Sequence, residues 1–349
     1  MVSGATRPGW GARLARAAGW IYLAALGAAA IVLGTVGERW WPGAVLLYLP
    51  RVLLLLPLVL LAPFCLGRER RRWFGVQAGA AIVIGAALMG PHWSRPRPSG
   101  GPSLRLFSYN VWYGERGEEA IRREIEEAHP DVVVMQAIAP PVVDYFRGYF
   151  HGWQLRADGE FLIASRFPIV KSDPPDPDDA FAHYQLATPL GTIDLFNMHP
   201  DSPRGAFEAL RGDGLRHVSL SDLSRAELGQ LESDTARRER QVSAVAAAAA
   251  RARHLVVIAG DTNLPEWSAL YRQYLSCYQD GFSSAGSGFG FTFPANRLWP
   301  WMRIDRVMVG PGLRVARFGV GSRGGSDHRP VWAELTAGAG KPGGLDCAK

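Results

Sequence analysis

The stretch "HLVVIAGDTN", His254–Asn263, decides how the chain is read. Five apolar or small residues, Leu255 to Ala259, run unbroken into Gly-Asp-Thr-Asn. A run this short and this apolar predicts a strand buried on both faces. Its polar end falls in the loop that follows, where folds of alternating strands and helices place their chemistry. Taken alone, Asp261 and Asn263 also suit an Asx-turn.

The pattern recurs along the chain. "LRLFSYNVW", Leu104–Trp112, alternates like a strand and delivers Asn110. "GTIDLFNMHP", Gly191–Pro200, ends in His199, and "WMRIDRVMVG", Trp301–Gly310, carries Asp305 in what reads as the penultimate strand. "SDHRPV", Ser326–Val331, puts Asp327 and His328 before a last strand, "PVWAELT". "DVVVMQAI", Asp131–Ile138, and "EFLIASRFPIV", Glu160–Val170, read as further buried strands. "EEAIRREIEEAHP", Glu118–Pro130, has helical spacing at Ile121 and Ile125 and stops before Pro130, and Ser233–Ala252 reads as a long helix. Each polar residue has a plain structural reading as a turn or a cap. The ordered set is what points to a site. Between His199 and the long helix lies a polar segment, Asp201–Glu232.

The first hundred residues differ. Three apolar stretches, about 20–37, 44–67 and 74–90, have the length of bilayer spans. Two runs beyond the first exceed what a signal peptide explains. Arg51 interrupts the second and is expected to reach the interface. Residues 1–100 hold eleven Arg and two acids, net +9, so within a chain of +6 the remainder carries −3. Arg7, Arg13 and Arg16 precede the first stretch, and "GRERRRW", Gly67–Trp73, joins the second and third. Positive-inside reasoning puts both in the cytoplasm and everything after Gly90 outside, a multi-pass cell-membrane protein with an extracellular C-terminal domain. The expected organisation is a membrane anchor over 1–93, a stiff linker over 94–102, a globular domain over 103–336 and a disordered tail over 337–349. Cys65 lies in an apolar run, which leaves Cys277 and Cys347. One pair could form in an oxidising compartment, but the spacing does not require it.

The order "SYN", "PDVVVMQ", "ASRFPI", "NMHP", "GDTN", "RIDRV", "SDHRPV" resembles the endonuclease/exonuclease/phosphatase superfamily across residues 103–336. The resemblance implies an α/β fold, a two-sheet β-sandwich flanked by helices, here behind a three-helix transmembrane anchor. It implies a metal-dependent phosphoric ester hydrolase using Mg²⁺, with Mn²⁺ as the alternative ion. It makes His328 the general base and Asp305 its orienting partner. Asp261 would position the attacking water. Asn263 would hold a phosphate oxygen, and His199 would bind phosphate or protonate the leaving oxygen. Asn110 and Asp327 would ligate the metal. One position departs from the pattern. After "VVVMQ" the family carries a metal-binding Glu, and this chain has Ala137. Three explanations stand: a replacement that silences the protein, a substitute among Gln136, Glu160 and Asp158, or a natural relative that binds phosphate without cleaving it.

The anchor combined with this domain resembles the VanJ-like teicoplanin-resistance membrane phosphatases. That resemblance implies a polyprenyl pyrophosphate, such as undecaprenyl pyrophosphate, at the outer leaflet, with antibiotic resistance as the setting. The −3 charge of the globular part speaks against a dedicated nucleic-acid groove, and the partner expected is a membrane lipid or lipid pyrophosphate. The alternatives are a membrane-tethered extracellular nuclease and a non-catalytic phospholipid-binding protein. The aromatic loop "GFGFTFPANRLWPWM", Gly288–Met302, suits contact with lipid or isoprenoid, or equally a core-facing filler at the sandwich edge.

Overall fold

The computed structural model describes residues 10–61, 68–94, 100–175, 178, 180–203 and 225–347. Most of the polar segment after His199, part of the linker and the end of the second apolar stretch lie outside the described residues. The chain divides into two compact units, Met1–Pro91 and His92–Lys349.

In the first unit α1 spans Trp10–Thr35, and its portion Arg16–Thr35 is long and apolar enough to cross a membrane. The second stretch is not one straight helix. It forms α2 (Trp41–Tyr48), a short 3-10 turn and α3 (Leu56–Leu61), with a bend of 98° between Trp41–Tyr48 and Arg51–Leu60. Pro50 sits at the break, where its missing N–H cannot continue a helix. Arg51 does not reach for an interface. It is 3% exposed and donates to the carbonyls of Leu88 and Leu47. The third stretch lies in α4 (Arg68–Met89), whose apolar portion is Trp73–Met89, shorter than a full span.

The second unit is a sandwich of two six-stranded sheets. In chain order the strands are β1 (His92–Trp93), β2 (Ser103–Asn110), β3 (Val132–Gln136), β4 (Gln154–Asp158), β5 (Phe161–Ser165), β6 (Ile169–Asp173), β7 (Phe181–Thr188), β8 (Gly191–Met198), β9 (Leu255–Asp261), β10 (Gln279–Asp280), β11 (Ser287–Gly288), β12 (Asp305–Val309), β13 (Leu313–Val320) and β14 (Val331–Ala337). One sheet has the order β13-β14-β2-β3-β5-β4, the other β10-β12-β9-β8-β7-β6; β1 and β11 form a separate ribbon. Asp305 therefore opens the antepenultimate strand, because β13 intervenes before β14.

The unbroken apolar runs have a simple cause. Val257 and Ala259 of β9 point into the core between the sheets, while Val256 and Ile258 pack on Val242, Val245 and Ala249 of the long helix α7 (Arg225–Ala250). On β3, Val132 and Val134 face the core, and Val133 and Met135 meet Ile121 and Ile125 of α5 (Glu118–Ala128) and Val142 and Phe146 of α6 (Pro140–Tyr149). Each central strand is covered twice, so neither face needs polar residues.

The C-terminus is tied down. Cys277 and Cys347 form a disulfide, Leu345 packs in the α7 cluster and exchanges hydrogen bonds with the Tyr278 hydroxyl, and Gly344 N–H donates to Ala252. The expected disordered tail is instead docked through residue 347.

A candidate phosphoesterase site

Topology brings the polar strand ends together. β2 and β3 run parallel, as do β8 and β9, so each pair releases its C-terminal ends at one edge of the sandwich. Asn110 is level with Gln136, and Met198 with Gly260, placing His199 beside Asp261. β12 runs antiparallel to β9 and so starts where β9 ends, with Asp305 opposite Asp261. β14 is antiparallel to β2, with Val331 opposite Ser108, which carries Asp327 and His328 to the same edge. Gly260 permits the close approach: its φ is +139°, and a Cβ there would meet the Met198 carbonyl oxygen at 2.0 Å.

Asp261 is the hub. Its Oδ2 accepts from Asn110 Nδ2 at 2.9 Å and lies 3.6 Å from Nε2 of both His199 and His328. Its Oδ1 accepts from the Asn263 backbone N–H at 2.9 Å. Two imidazole–carboxylate pairs flank it. His328 Nδ1 meets Asp305 Oδ2 at 2.9 Å, and His199 Nδ1 meets Glu160 Oε2 at 3.0 Å. Asp327 is buried, with Oδ1 4.0 Å from His328 Nε2. Asn263 donates its side-chain N–H to the Pro200 carbonyl, and the Asn110 Oδ1 accepts from Trp112 N–H.

Charge follows from this geometry. Burial works against a charged His328, but the Asp305 and Asp261 carboxylates overcome it and lift the imidazole to about 9. Burial likewise opposes a charged His199, and Glu160 and then Asp261 raise it above the ordinary imidazole value. Burial lifts Asp305 above the usual carboxylate range; His328 pulls it down, and the Asp261 carboxylate pushes it up again.

The donor set suits a divalent cation. Ligand atoms of Asp261, Asp305 and His328 all lie within 4.8 Å of one another. Among the described residues no Lys or Arg pairs with Asp261 or Asp305, so buried negative charge accumulates there. Oxygen-rich, anionic sites of this kind match hard cations such as Mg²⁺. Ala137 contributes nothing: it follows β3, is 3% exposed and has φ +51°.

Asn110, His199, Asp261, Asn263, Asp305, Asp327 and His328 thus share one edge of the sandwich. The sequence reading missed three contributors. Glu160 reads in the sequence only as a substitute ligand, whereas its carboxylate holds His199. Thr292 Oγ1 accepts from the N–H groups of Ile304 and Asp305 and fixes the start of β12. The Phe293 ring lies 4.7 Å from that of His328. No local pattern marks them, since all are brought in by loops.

A sequence model of the endonuclease/exonuclease/phosphatase family matches residues 107–328. No curated protein sequence matches the chain. Among solved structures, truncated Caenorhabditis elegans TDP2 superposes with a TM-score of 0.51 at 17% identity, over 67% of this chain and 98% of that one. An endonuclease/exonuclease/phosphatase from Beutenbergia cavernae gives 0.47 at 18% identity, over 68% and 72% of the two chains. A mannosyl-6-phosphatase from Bacteroides thetaiotaomicron gives 0.46 at 18% identity, over 67% and 99%. The family match covers well over half the chain and contains both imidazole–carboxylate pairs, so this protein belongs to the endonuclease/exonuclease/phosphatase family of metal-dependent phosphoesterases and nucleases.

Proposed function

We propose that this protein is a membrane-anchored, Mg²⁺-dependent phosphoesterase that hydrolyses a lipid-borne phosphate or pyrophosphate, such as undecaprenyl pyrophosphate, at the outer membrane face. The observation that carries the chemistry is the convergence of the His328–Asp305 and His199–Glu160 pairs on Asp261. Asp305 holds Nδ1 of His328 and leaves Nε2 to exchange a proton with a water beside Asp261. His199, whose protonated form Glu160 favours, faces the position of a phosphate oxygen and is placed to protonate the leaving oxygen. Asn263 and Asn110 orient these groups: Asn263 pins an Asp261 oxygen through its backbone N–H, and Asn110 bridges β2 to Asp261. A divalent cation held by Asp261 and Asp327, with Asn110 bonded to Asp261, would neutralise charge on the phosphoryl oxygens and weaken the carboxylate field that raises His328, leaving Asp305 to its imidazole.

The lipid assignment rests on the apolar helix Arg16–Thr35, the further apolar segments before Pro91 and the likeness to VanJ-type phosphatases. The three-span anchor and the outward-facing domain belong to this proposal. The Cys277–Cys347 disulfide supports an oxidising compartment. Tethering above a bilayer raises the local concentration of a lipid substrate.

Ala137 favours one rival, a domain that binds lipid phosphate without cleaving it. The test compares phosphate release from undecaprenyl pyrophosphate, a soluble phosphate ester and plasmid DNA, with Mg²⁺ or chelator, using this chain, its A137E variant and H328N. Mg²⁺-dependent release from the lipid that H328N abolishes supports the proposal. Tight lipid binding with no release from either this chain or A137E supports the binder, and cleavage of plasmid alone supports a tethered nuclease.

A further inference from the structure

The loop that lines the catalytic edge also carries an exposed apolar tip. Phe293 pairs with Met302 and closes a hairpin over residues 294–301. Its base belongs to the site: Ala295 N–H donates to the Asp327 carbonyl, Arg329 N–H donates to the Thr292 carbonyl, and Phe293 packs on His328. Its tip faces water, with Leu298 78% and Trp299 73% exposed.

Such exposure is concentrated here. The large exposed hydrophobics after Pro91, among the described residues, are Trp93, Tyr113, Val170, Phe289, Leu298 and Trp299. Trp93, Phe289, Leu298 and Trp299 belong to this loop and the β1–β11 ribbon that leads into it, and Tyr113 follows Asn110. Contiguous exposed apolar side chains on a soluble domain mark an interaction surface.

Charge around the tip selects the partner. The segment Gly288–Met302 contains no acid and carries Arg297 at its tip. Arg323 donates to the Leu298 carbonyl at 2.9 Å, and Arg116 donates to the Arg323 carbonyl at 3.3 Å. Arg116, Arg297 and Arg323 are exposed and have no carboxylate partner among the described residues. The nearby Glu124 is buried and accepts from Ser322 and Gly324, so its charge is turned inward. Trp at a polar–apolar boundary beside unpaired Arg is the composition that sits in an anionic lipid headgroup layer. A protein partner with an apolar pocket would not need three exposed arginines on and beside the loop, which outnumber the exposed Glu115 next to Arg116.

We infer that the 294–301 hairpin is a membrane-docking tip: Leu298 and Trp299 enter the interface of an anionic bilayer, Arg116, Arg297 and Arg323 meet its headgroup phosphates, and the catalytic edge opens onto the lipid surface. The inference deepens the proposed function by naming the surface on which the site works, and it rests on that reading only for what happens after docking.

The test uses the full chain in vesicles of phosphatidylcholine and phosphatidylglycerol. Cys65→Ser removes the free thiol, and L298C carries an environment-sensitive nitrobenzoxadiazole label. The same label at K171C, on the far edge strand β6, provides the aqueous reference. Label at 298 is expected to be quenched several-fold more by doxyl-labelled lipid than label at 171, with the excess reduced in pure phosphatidylcholine and in a W299D background. Equal quenching at the two positions overturns docking, and excess quenching untouched by lipid charge overturns the role of the arginines. The readout involves no turnover. A tip that docks on a protein inactive towards lipid pyrophosphate leaves this inference standing and sinks the function above; an active protein with an aqueous tip does the reverse.

Discussion

The Glu160 carboxylate lies 3.0 Å from Nδ1 of His199. It thereby serves an imidazole and is not free to stand in for the carboxylate missing at Ala137. Asp158 faces Ser172 and Tyr184, and Gln136 is buried beneath the site with its side-chain N–H groups on Ser108 and Asn197. Glu160 and Asp158 are thus engaged elsewhere, whereas the buried Gln136 Oε1 has no hydrogen-bond partner among the described residues and is the one acceptor of the three left uncommitted.

Removing the Glu160 charge should therefore act through His199. E160Q keeps a hydrogen-bond acceptor but not the charge that favours imidazolium. Partners of this kind matter by about 10–100-fold, and we expect a loss of that order in kcat/KM with the basic limb of the pH profile moved to lower pH. An unchanged pH profile would show that Glu160 only packs.

Ala137 already occupies a left-handed backbone conformation, φ +51°, with a Cβ in place. A137E adds no new backbone strain of the roughly 1–2 kcal/mol that this region costs. It should raise Mg²⁺ affinity and Mg²⁺-dependent phosphate release. Isothermal titration with Mg²⁺ measures the first independently of turnover; no change in either removes residue 137 from the metal site.

Away from the catalytic edge, Asp194 accepts from His183 and Gln185 at Oδ1 and from His254 at Oδ2, in a pocket of about 490 Å³ beside the end of α7. Burial opposes its charge, and these donors still hold it at about 2; His183, between Asp173 and Asp194, is raised. The depressed Asp194 stabilises the fold above its unfolded value near 3.8 and loses that contribution as pH falls towards 2. The raised His183 contributes below about 6.5 and fades as pH climbs through its folded pKa. D194N should cost about 2 kcal/mol, and the difference from wild type in urea unfolding should be largest between about pH 4 and 6.5. A flat difference across that range would break the linkage.

The Cys277–Cys347 bridge closes a 70-residue separation that includes β12, β13 and β14. Chain-entropy arguments for a loop of that size give about 4 kcal/mol. C277S with C347S should lower the denaturation midpoint accordingly, and reductant should lower that of the wild type but not of the variant.

Much of the fold was legible because strands β2, β3, β8 and β9 keep a periodicity set by burial on one or two faces. Other strands were hidden for physical reasons. β13 carries Arg314 and Arg317 and a register shift between Val315 and Arg317, which breaks the period of two. β7 is not singled out, although Ala182, Tyr184 and Leu186 alternate with His183 and Gln185, which line a pocket on the other face. Pro50 was visible in the second apolar stretch, yet the 98° bend and the burial of Arg51 depend on carbonyls offered by Leu47 and Leu88, one of them far along the chain.

Sequence alone determined which residues end up on strand termini, since apolar periodicity is a local property fixed by burial. It also determined that Ala137 cannot ligate a metal. Only the tertiary structure decided that Glu160 partners His199, that the chain from Gly344 to Cys347 docks and that Leu298 and Trp299 stand in water beside the catalytic edge. Those outcomes depend on loops whose positions are set by sheet register across tens to hundreds of residues, and no local pattern encodes such distances.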